Sequence, residues 1–73
     1  MTHMPANRYD RTGLELKVAR VRARVRQHEV AAAMGVSPSR VTMIEREAIV
    51  TEQTWDRYMA ALEVCHNGTS EVA

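Results

Sequence analysis

The segment 38–47 carries polar side chains whose chemistry suits the edges of nucleic-acid bases. Val41 and Ile44 are three positions apart, which is the spacing of the buried side of a helix, so their neighbours face outward. The outward set combines two hydroxyl groups, a forked cation and an apolar thioether, on Ser39, Arg40, Thr42 and Met43. Such groups hydrogen-bond base edges and contact thymine methyl groups in the major groove of DNA. We therefore predict that these four residues contact bases.

Two short helices joined by a glycine turn are predicted to position this face. The apolar residues of the region are spaced as in two helices that cross over a shared core: Val30, Ala31, Met34, Val36, Val41 and Ile44. Gly35 stands where the first helix must stop, because glycine adopts a positive φ without cost. Ser37 then caps a new helix, and Pro38 occupies its first position, where no N–H is needed. The expected helices span 27–34 and 38–47.

The same residues resemble a known DNA-binding motif. The order Gln27, Ala31, Gly35-Val36-Ser37, Val41-Thr42 and Glu45 resembles the helix-turn-helix of the phage Cro and repressor family. That family includes xenobiotic-response-element-type regulators and the controller proteins of restriction systems. The resemblance covers about Leu14 to Val64, and it implies operator binding by the helix 38–47 and pairing as a homodimer on near-palindromic sites.

The resemblance also assigns roles to individual polar residues. Gln27 matches a position whose side chain typically grips a phosphate. Arg20 and Glu45 match an arginine in the first helix and a glutamate that ends the third, and we expect them to form a bidentate, partly buried ion pair. That pair would fix the angle of the third helix. The chain departs from the family between the first two helices, where Arg24 and Arg26 replace the usual glycine and Ser/Thr cap.

The charges are unevenly distributed along the 73-residue chain, although its net charge is only +1. Residues 1–40 hold eight basic and three acidic side chains, a balance of +5, whereas residues 41–73 hold two basic and six acidic ones, a balance of −4. A basic half can meet phosphates while the acidic half stays away from them. Besides Gln27, the predicted phosphate contacts are Arg24, Arg26, Ser37 and Arg46.

The first helix is predicted over 13–24, because Thr12 and Glu15 have the spacing of a capping box. One stripe of this helix would face the core: Leu16, Ala19 and Ala23. A second apolar stripe of this helix is predicted to be either further core or a contact surface: Leu14, Val18, Val21 and Val25. The apolar residues also alternate almost as in a strand. This alternation leaves open a ribbon-helix-helix dimer in which the segment forms an intermolecular strand.

A fourth helix is predicted over 52–64, since Val50, Thr51 and Trp55 have the arrangement of a hydrophobic staple around a cap. Four residues at helical spacing are expected to close the core: Trp55, Tyr58, Met59 and Leu62. The stretch His-Asn-Gly-Thr at 66–69 is expected to end the helix. The predicted fold is thus all-α, a small bundle of four to five helices. Its predicted parts are a flexible arm at 1–11, the DNA-binding domain at 12–65 and a disordered tail at 66–73.

The composition argues against several other classes of protein. The single cysteine, Cys65, excludes an intrachain disulfide, and no His/Cys cluster has metal-site spacing, so neither a metal nor another cofactor is expected. No apolar run approaches a membrane span and no signal peptide is evident, which predicts a cytoplasmic, nucleoid-associated protein without a membrane partner. Neither a small-molecule ligand nor a catalytic pairing of nucleophile and base is indicated, so we expect no enzyme activity.

The favoured hypothesis is a transcriptional regulator, a phage Cro or repressor-like protein that binds a double-stranded DNA operator as a homodimer. The first alternative is the ribbon-helix-helix dimer. The second is a protein-interaction module of the antitoxin or anti-repressor type, holding a partner through the second stripe of the first helix. Salt-dependent binding to DNA separates the first two hypotheses from the third.

Overall fold

The computed structural model describes the backbone of residues 11–72 and the side chains of residues 11–67. Within this range all regular structure is helical, in the order α1 (Gly13–Arg22), α2 (Gln27–Met34), α3 (Pro38–Glu45) and α4 (Glu52–Val72). The predicted all-α fold class is confirmed. Because α2 packs on α3 and α4, and α1 packs on the same two helices, the four enclose one small core.

Helix α1 begins where the sequence predicts and ends two residues early. The Thr12 side chain caps it by accepting a hydrogen bond from the Glu15 backbone N–H at 3.1 Å. The chain leaves the helix after Arg22, because Arg24 takes a left-handed φ of 60°. Val25 therefore lies in the following turn, where it is buried in the core. The residues that alternate in the sequence lie in this helix and in the turn that follows it, with no strand among the described residues, and the ribbon-helix-helix alternative is wrong.

The turn between α2 and α3 has the predicted geometry. Gly35 ends α2 with a φ of 75°, and the Val36 N–H closes the turn on the Ala31 carbonyl at 2.9 Å. Ser37 caps α3 by accepting from the Arg40 N–H at 3.2 Å, and Pro38 is the first helical residue. The two helices are thereby held at a defined angle.

Helix α3 is shorter than predicted, ending at Glu45 instead of residue 47. The segment after it is tied to the start of α1. The Gly13 N–H donates to the Glu47 carbonyl at 2.9 Å, and the Val50 N–H donates to the Arg11 carbonyl at 2.7 Å. The Glu47 carbonyl and the Val50 N–H are thus bonded to the chain at the start of α1 and not within a longer α3.

Helix α4 starts as predicted, with the Thr51 hydroxyl accepting from the Thr54 N–H at 3.2 Å. Its predicted end at residue 64 is wrong, because helical backbone continues through the His-Asn-Gly-Thr stretch to Val72. Glycine and asparagine lower helix propensity by only about 1 kcal/mol or less, and no proline follows to enforce a stop. The predicted flexible arm falls almost wholly on residues 1–10, outside the described residues. The division into arm, domain and tail stays a prediction.

Among the residues whose side chains the structure describes, ten form the core: Leu16, Val25, Val30, Ala31, Val41, Ile44, Val50, Tyr58, Ala61 and Leu62. Trp55 packs against it from α4 as expected. Met59 was expected to help close the core, but it is 36% exposed at the surface of α4. None of the described helices combines the length and the hydrophobicity needed to cross a bilayer.

Candidate nucleic-acid interface

The predicted base-contacting residues lie on the side of α3 that the core does not use. Val41 and Ile44 are fully buried on one side of the helix, whereas Ser39, Arg40 and Met43 are exposed. Met43, at 58% exposure, is an apolar side chain held in solvent. We call Ser39, Arg40, Thr42 and Met43 the polar face of α3. Its donors, acceptors and apolar tip are those that read a major groove.

Thr42 differs from the other members of this face, because it is only half exposed. Its hydroxyl oxygen lies 3.4 Å from Gln27 Oε1 and 3.3 Å from the Pro38 carbonyl oxygen. Through its contact with Gln27, Thr42 thus links the polar face of α3 to the side chains that lie beneath this face.

Beneath the face lies a buried carboxylate. Arg20 Nε donates to Glu45 Oε2 at 2.7 Å, and Arg20 Nη2 lies 3.3 Å from Oε1. These two contacts are the bidentate pair that the resemblance implies, and its side chains are only 11% and 4% exposed. Two further donors complete the shell of the carboxylate, since Gln27 Nε2 lies 3.0 Å from Oε1 and the Tyr58 hydroxyl donates to Oε2. We call Arg20, Gln27, Glu45 and Tyr58 the Glu45 cluster.

The Glu45 cluster stabilises its own charges. Burial favours a neutral Glu45, but hydrogen bonds from Arg20, Tyr58 and Gln27 outweigh it and hold the pKa of this carboxyl below its usual range. The hydrogen bond to Glu45 raises the pKa of Arg20. Burial, followed by the bond to Glu45, raises the pKa of the Tyr58 hydroxyl far above its usual value. At neutral pH the cluster is therefore a carboxylate held by one cation and two neutral donors.

Gln27 was predicted to grip a phosphate with its side chain, and the structure turns that side chain inward. Its amide is engaged by Glu45 on one side and Thr42 on the other. As the first residue of α2, however, Gln27 has a backbone N–H without a partner inside the helix. An anion at this helix end would meet that N–H and the positive end of the helix dipole.

The other predicted phosphate contacts are exposed and border α2 and α3. Arg24 is in the turn before α2, and Arg26 is the residue that precedes its first turn. Ser37 and Arg46 occupy the two caps of α3. The Ser37 oxygen accepts a backbone hydrogen bond, which leaves its proton for donation to a ligand. Three cations and a hydroxyl therefore frame the polar face of α3.

Three residues that contribute to this arrangement could have been sought in the sequence but were not predicted to take part in it. Tyr58 was predicted only as a core residue. Because a buried tyrosine hydroxyl usually has a hydrogen-bond partner, its predicted burial also indicated a buried acceptor nearby. Arg57 donates to the Met34 carbonyl at 3.1 Å and so satisfies the C-terminal end of α2. Gly13 lets the start of α1 approach the end of α3, and no local pattern indicates this contact.

Among the described residues, no group of three or more His, Cys, Asp or Glu side chains is placed to hold a metal ion. Comparison with protein families gives one finding. The family described as "Helix-turn-helix domain" has a model that matches residues 11–71 of the chain. No curated protein and no solved structure gives a significant match. The match spans α1 to α4 with the turn between α2 and α3, and the chain belongs to the helix-turn-helix domain family.

Proposed function

We propose that this protein is a sequence-specific regulator of transcription that occupies a double-stranded DNA operator, as phage Cro and repressor proteins do. Helix α3 enters the major groove, and its polar face contacts bases. One observation carries the proposal: this face exposes Arg40 and Met43 while the opposite side of the same short helix is fully buried. A helix packed in this way presents one fixed set of side chains. Such a protein acts in the cytoplasm, at the nucleoid.

Affinity and specificity come from different residues in this proposal. Arg24, Arg26, Ser37 and Arg46, with the backbone N–H of Gln27, contact phosphates and set the register of the protein on the duplex. The polar face of α3 then reads the bases. The uneven charge distribution supports the assignment, since six of the nine acidic residues lie in residues 41–73, four of them in α4.

We further propose that the protein binds its operator as a homodimer. One α3 covers only a short half-site, so two copies are needed for a site with two half-sites about one helical turn apart. The favoured pairing surface is α4 up to Asn67, where Met59 lines a groove of about 520 Å³ and Val64 is also exposed. The second candidate is the stripe of α1 with Leu14 and Val21 at 62% and 56% exposure. Sedimentation showing one chain per full operator would exclude a dimer.

Arg24 offers a test that separates DNA contact from folding. A left-handed φ costs a non-glycine residue about 1–2 kcal/mol, and glycine recovers most of that at some cost in chain entropy. Arg24→Gly should therefore raise the free energy of unfolding by up to about 1 kcal/mol. The same variant should bind all duplexes more weakly and flatten the salt dependence by about one unit, because one phosphate contact is lost. Thermal unfolding and binding titrations at several salt concentrations measure the two effects.

The matched control is Arg24→Ala, which removes the same charge but keeps a side chain with a Cβ in the left-handed turn. It should lose DNA affinity to the same extent without gaining stability. An Arg24→Gly variant with unchanged affinity and an unchanged salt slope would show that Arg24 does not contact phosphate.

The function itself is tested by titrating the protein against a pool of duplexes. Binding should weaken steeply as salt rises, with a slope that reflects several phosphate contacts. A protein-interaction module would not bind the pool at all, and its exposed α1 stripe would be the surface to examine for a partner. Salt-independent or absent binding would thus overturn the DNA-binding proposal.

A further inference from the structure

The hydroxyl group of Thr42 lies between two hydrogen-bond acceptors. Its oxygen is 3.4 Å from Gln27 Oε1 and 3.3 Å from the Pro38 carbonyl oxygen. A carbonyl oxygen only accepts, whereas a threonine hydroxyl has one proton to donate and two lone pairs. Whichever neighbour receives it, the proton of Thr42 is donated toward the protein. The hydroxyl can then offer only lone pairs to a ligand on its outer side.

The orientation of the Gln27 amide follows from the buried carboxylate. Glu45 is ionised and accepts from Arg20 and Tyr58, so the Gln27 group beside it at 3.0 Å must be the NH₂. The amide oxygen consequently points to Thr42. A flipped amide would place its oxygen against a buried carboxylate, where no proton is left to join them. With the amide in this orientation, both protein neighbours of the Thr42 hydroxyl are acceptors, Gln27 Oε1 and the Pro38 carbonyl oxygen.

Building on the proposed DNA-binding function, we propose that Thr42 selects a base bearing an amino group on its major-groove edge. Adenine presents the N6 amino group there and cytosine the N4 amino group, and either can donate to a lone pair of the Thr42 hydroxyl. Guanine presents only the acceptors N7 and O6, and thymine presents the acceptor O4 and a methyl group. The engaged hydroxyl has no proton for those acceptors.

Arg40 has the opposite character on the same face. Its guanidinium only donates, and it is exposed two positions before Thr42. A donor of this kind suits guanine, which accepts at N7 and O6. The polar face of α3 thus pairs one residue that only donates with one that only accepts, and the two should govern different base positions of the same half-site.

The experiment begins with selection of binding sites from randomised DNA by the wild-type protein and by Thr42→Val. The base position at which the two selections differ is the one that Thr42 contacts. If adenine is preferred there, it is replaced by purine, which lacks the 6-amino group. If cytosine is preferred, it is replaced by 2-pyrimidinone, which lacks the 4-amino group. Loss of one neutral hydrogen bond should weaken wild-type binding roughly threefold to tenfold.

The analogue should have no effect on Thr42→Val, because that variant has no acceptor to lose. Thr42→Ser is the matched control, since it keeps the hydroxyl and should keep the sensitivity to the analogue. Melting curves establish that each variant is folded, and Thr42→Ala replaces Thr42→Val if the valine variant melts below the assay temperature. Comparison of the variants in this way isolates the single contact.

Three results would overturn the inference while leaving the DNA-binding function intact. The first is a preference for guanine or thymine at the Thr42 position, and the second is unchanged base preference in Thr42→Val. The third is wild-type binding that ignores loss of the amino group. Failure of the proposed function would look different, because the wild-type protein would then select no base at any position.

Discussion

Glu45→Ala should lower the free energy of unfolding by about 3–5 kcal/mol, because it strands the buried Arg20 cation. It also leaves the Tyr58 hydroxyl and the Gln27 amide without their shared acceptor. A domain of this size rarely has more than about 3–5 kcal/mol to lose, so the variant should be largely unfolded at room temperature. Urea unfolding followed by circular dichroism measures the change.

Two comparisons make this result specific to the Glu45 cluster. Glu63→Ala removes an exposed carboxylate from α4 and should change stability by no more than about 0.5 kcal/mol. Replacing both Arg20 and Glu45 by methionine removes the charges, but it still strands the hydroxyl, so stability should recover further when Tyr58→Phe is added. If Glu45→Ala is as mild as Glu63→Ala, the buried ion pair does not contribute to stability.

Gly13→Ala should also be strongly destabilising, although alanine is normally the better helix residue. A Cβ at position 13 would lie 2.3 Å from the Ile44 carbonyl oxygen and 2.5 Å from the Glu45 carbonyl carbon. Both are backbone atoms, so α1 and the end of α3 would have to move apart. Such overpacking costs about 1–3 kcal/mol or more. The separation would also break the 2.9 Å bond from the Gly13 N–H to Glu47, and thermal unfolding should detect the combined loss.

Gly35→Ala is the informative comparison, because nothing lies within 4 Å of a Cβ at that position. Its cost comes only from the φ of 75°, about 1–2 kcal/mol. We therefore expect Gly13→Ala to be the more damaging of the two and to weaken DNA binding in its folded fraction, since it shifts α3. A Gly13→Ala protein as stable as the wild type would contradict the close packing of α1 on α3.

The parts of the fold that could be predicted are those that depend on residues close together in the sequence. Gly35, Ser37 and Pro38 produce their turn and cap through local backbone geometry, and the structure has both. The end of α1 could not be predicted, because Arg24 adopts a conformation that its residue type disfavours. The turn that contains it is held by the burial of Val25 and by a hydrogen bond from Arg20 Nη1 to the Val25 carbonyl, and neither is a local sequence signal. The end of α4 was missed for a related reason, since a weak stop signal does not force a helix to end.

The candidate site shows the same division. Helical spacing was enough to predict which residues of α3 face outward. The contacts of Gln27 and Tyr58 join residues from 13 to 18 positions apart in the chain, so no local pattern contains them. The close approach at Gly13 likewise depends on how two distant helices pack. Sequence reasoning therefore finds the surface of this site more readily than the groups that support it.

Selection from randomised DNA tests the role of α3 most directly. The wild-type protein should enrich a defined half-site. A variant with alanine at Ser39, Arg40, Thr42 and Met43 should keep its fold and its salt-dependent binding to bulk DNA, but lose the preference for that half-site. A control variant with alanine at Glu15 and Lys17, both exposed on α1, should enrich the wild-type site. If the α3 variant, folded, selects the same site as the wild-type protein, base recognition lies elsewhere on the molecule.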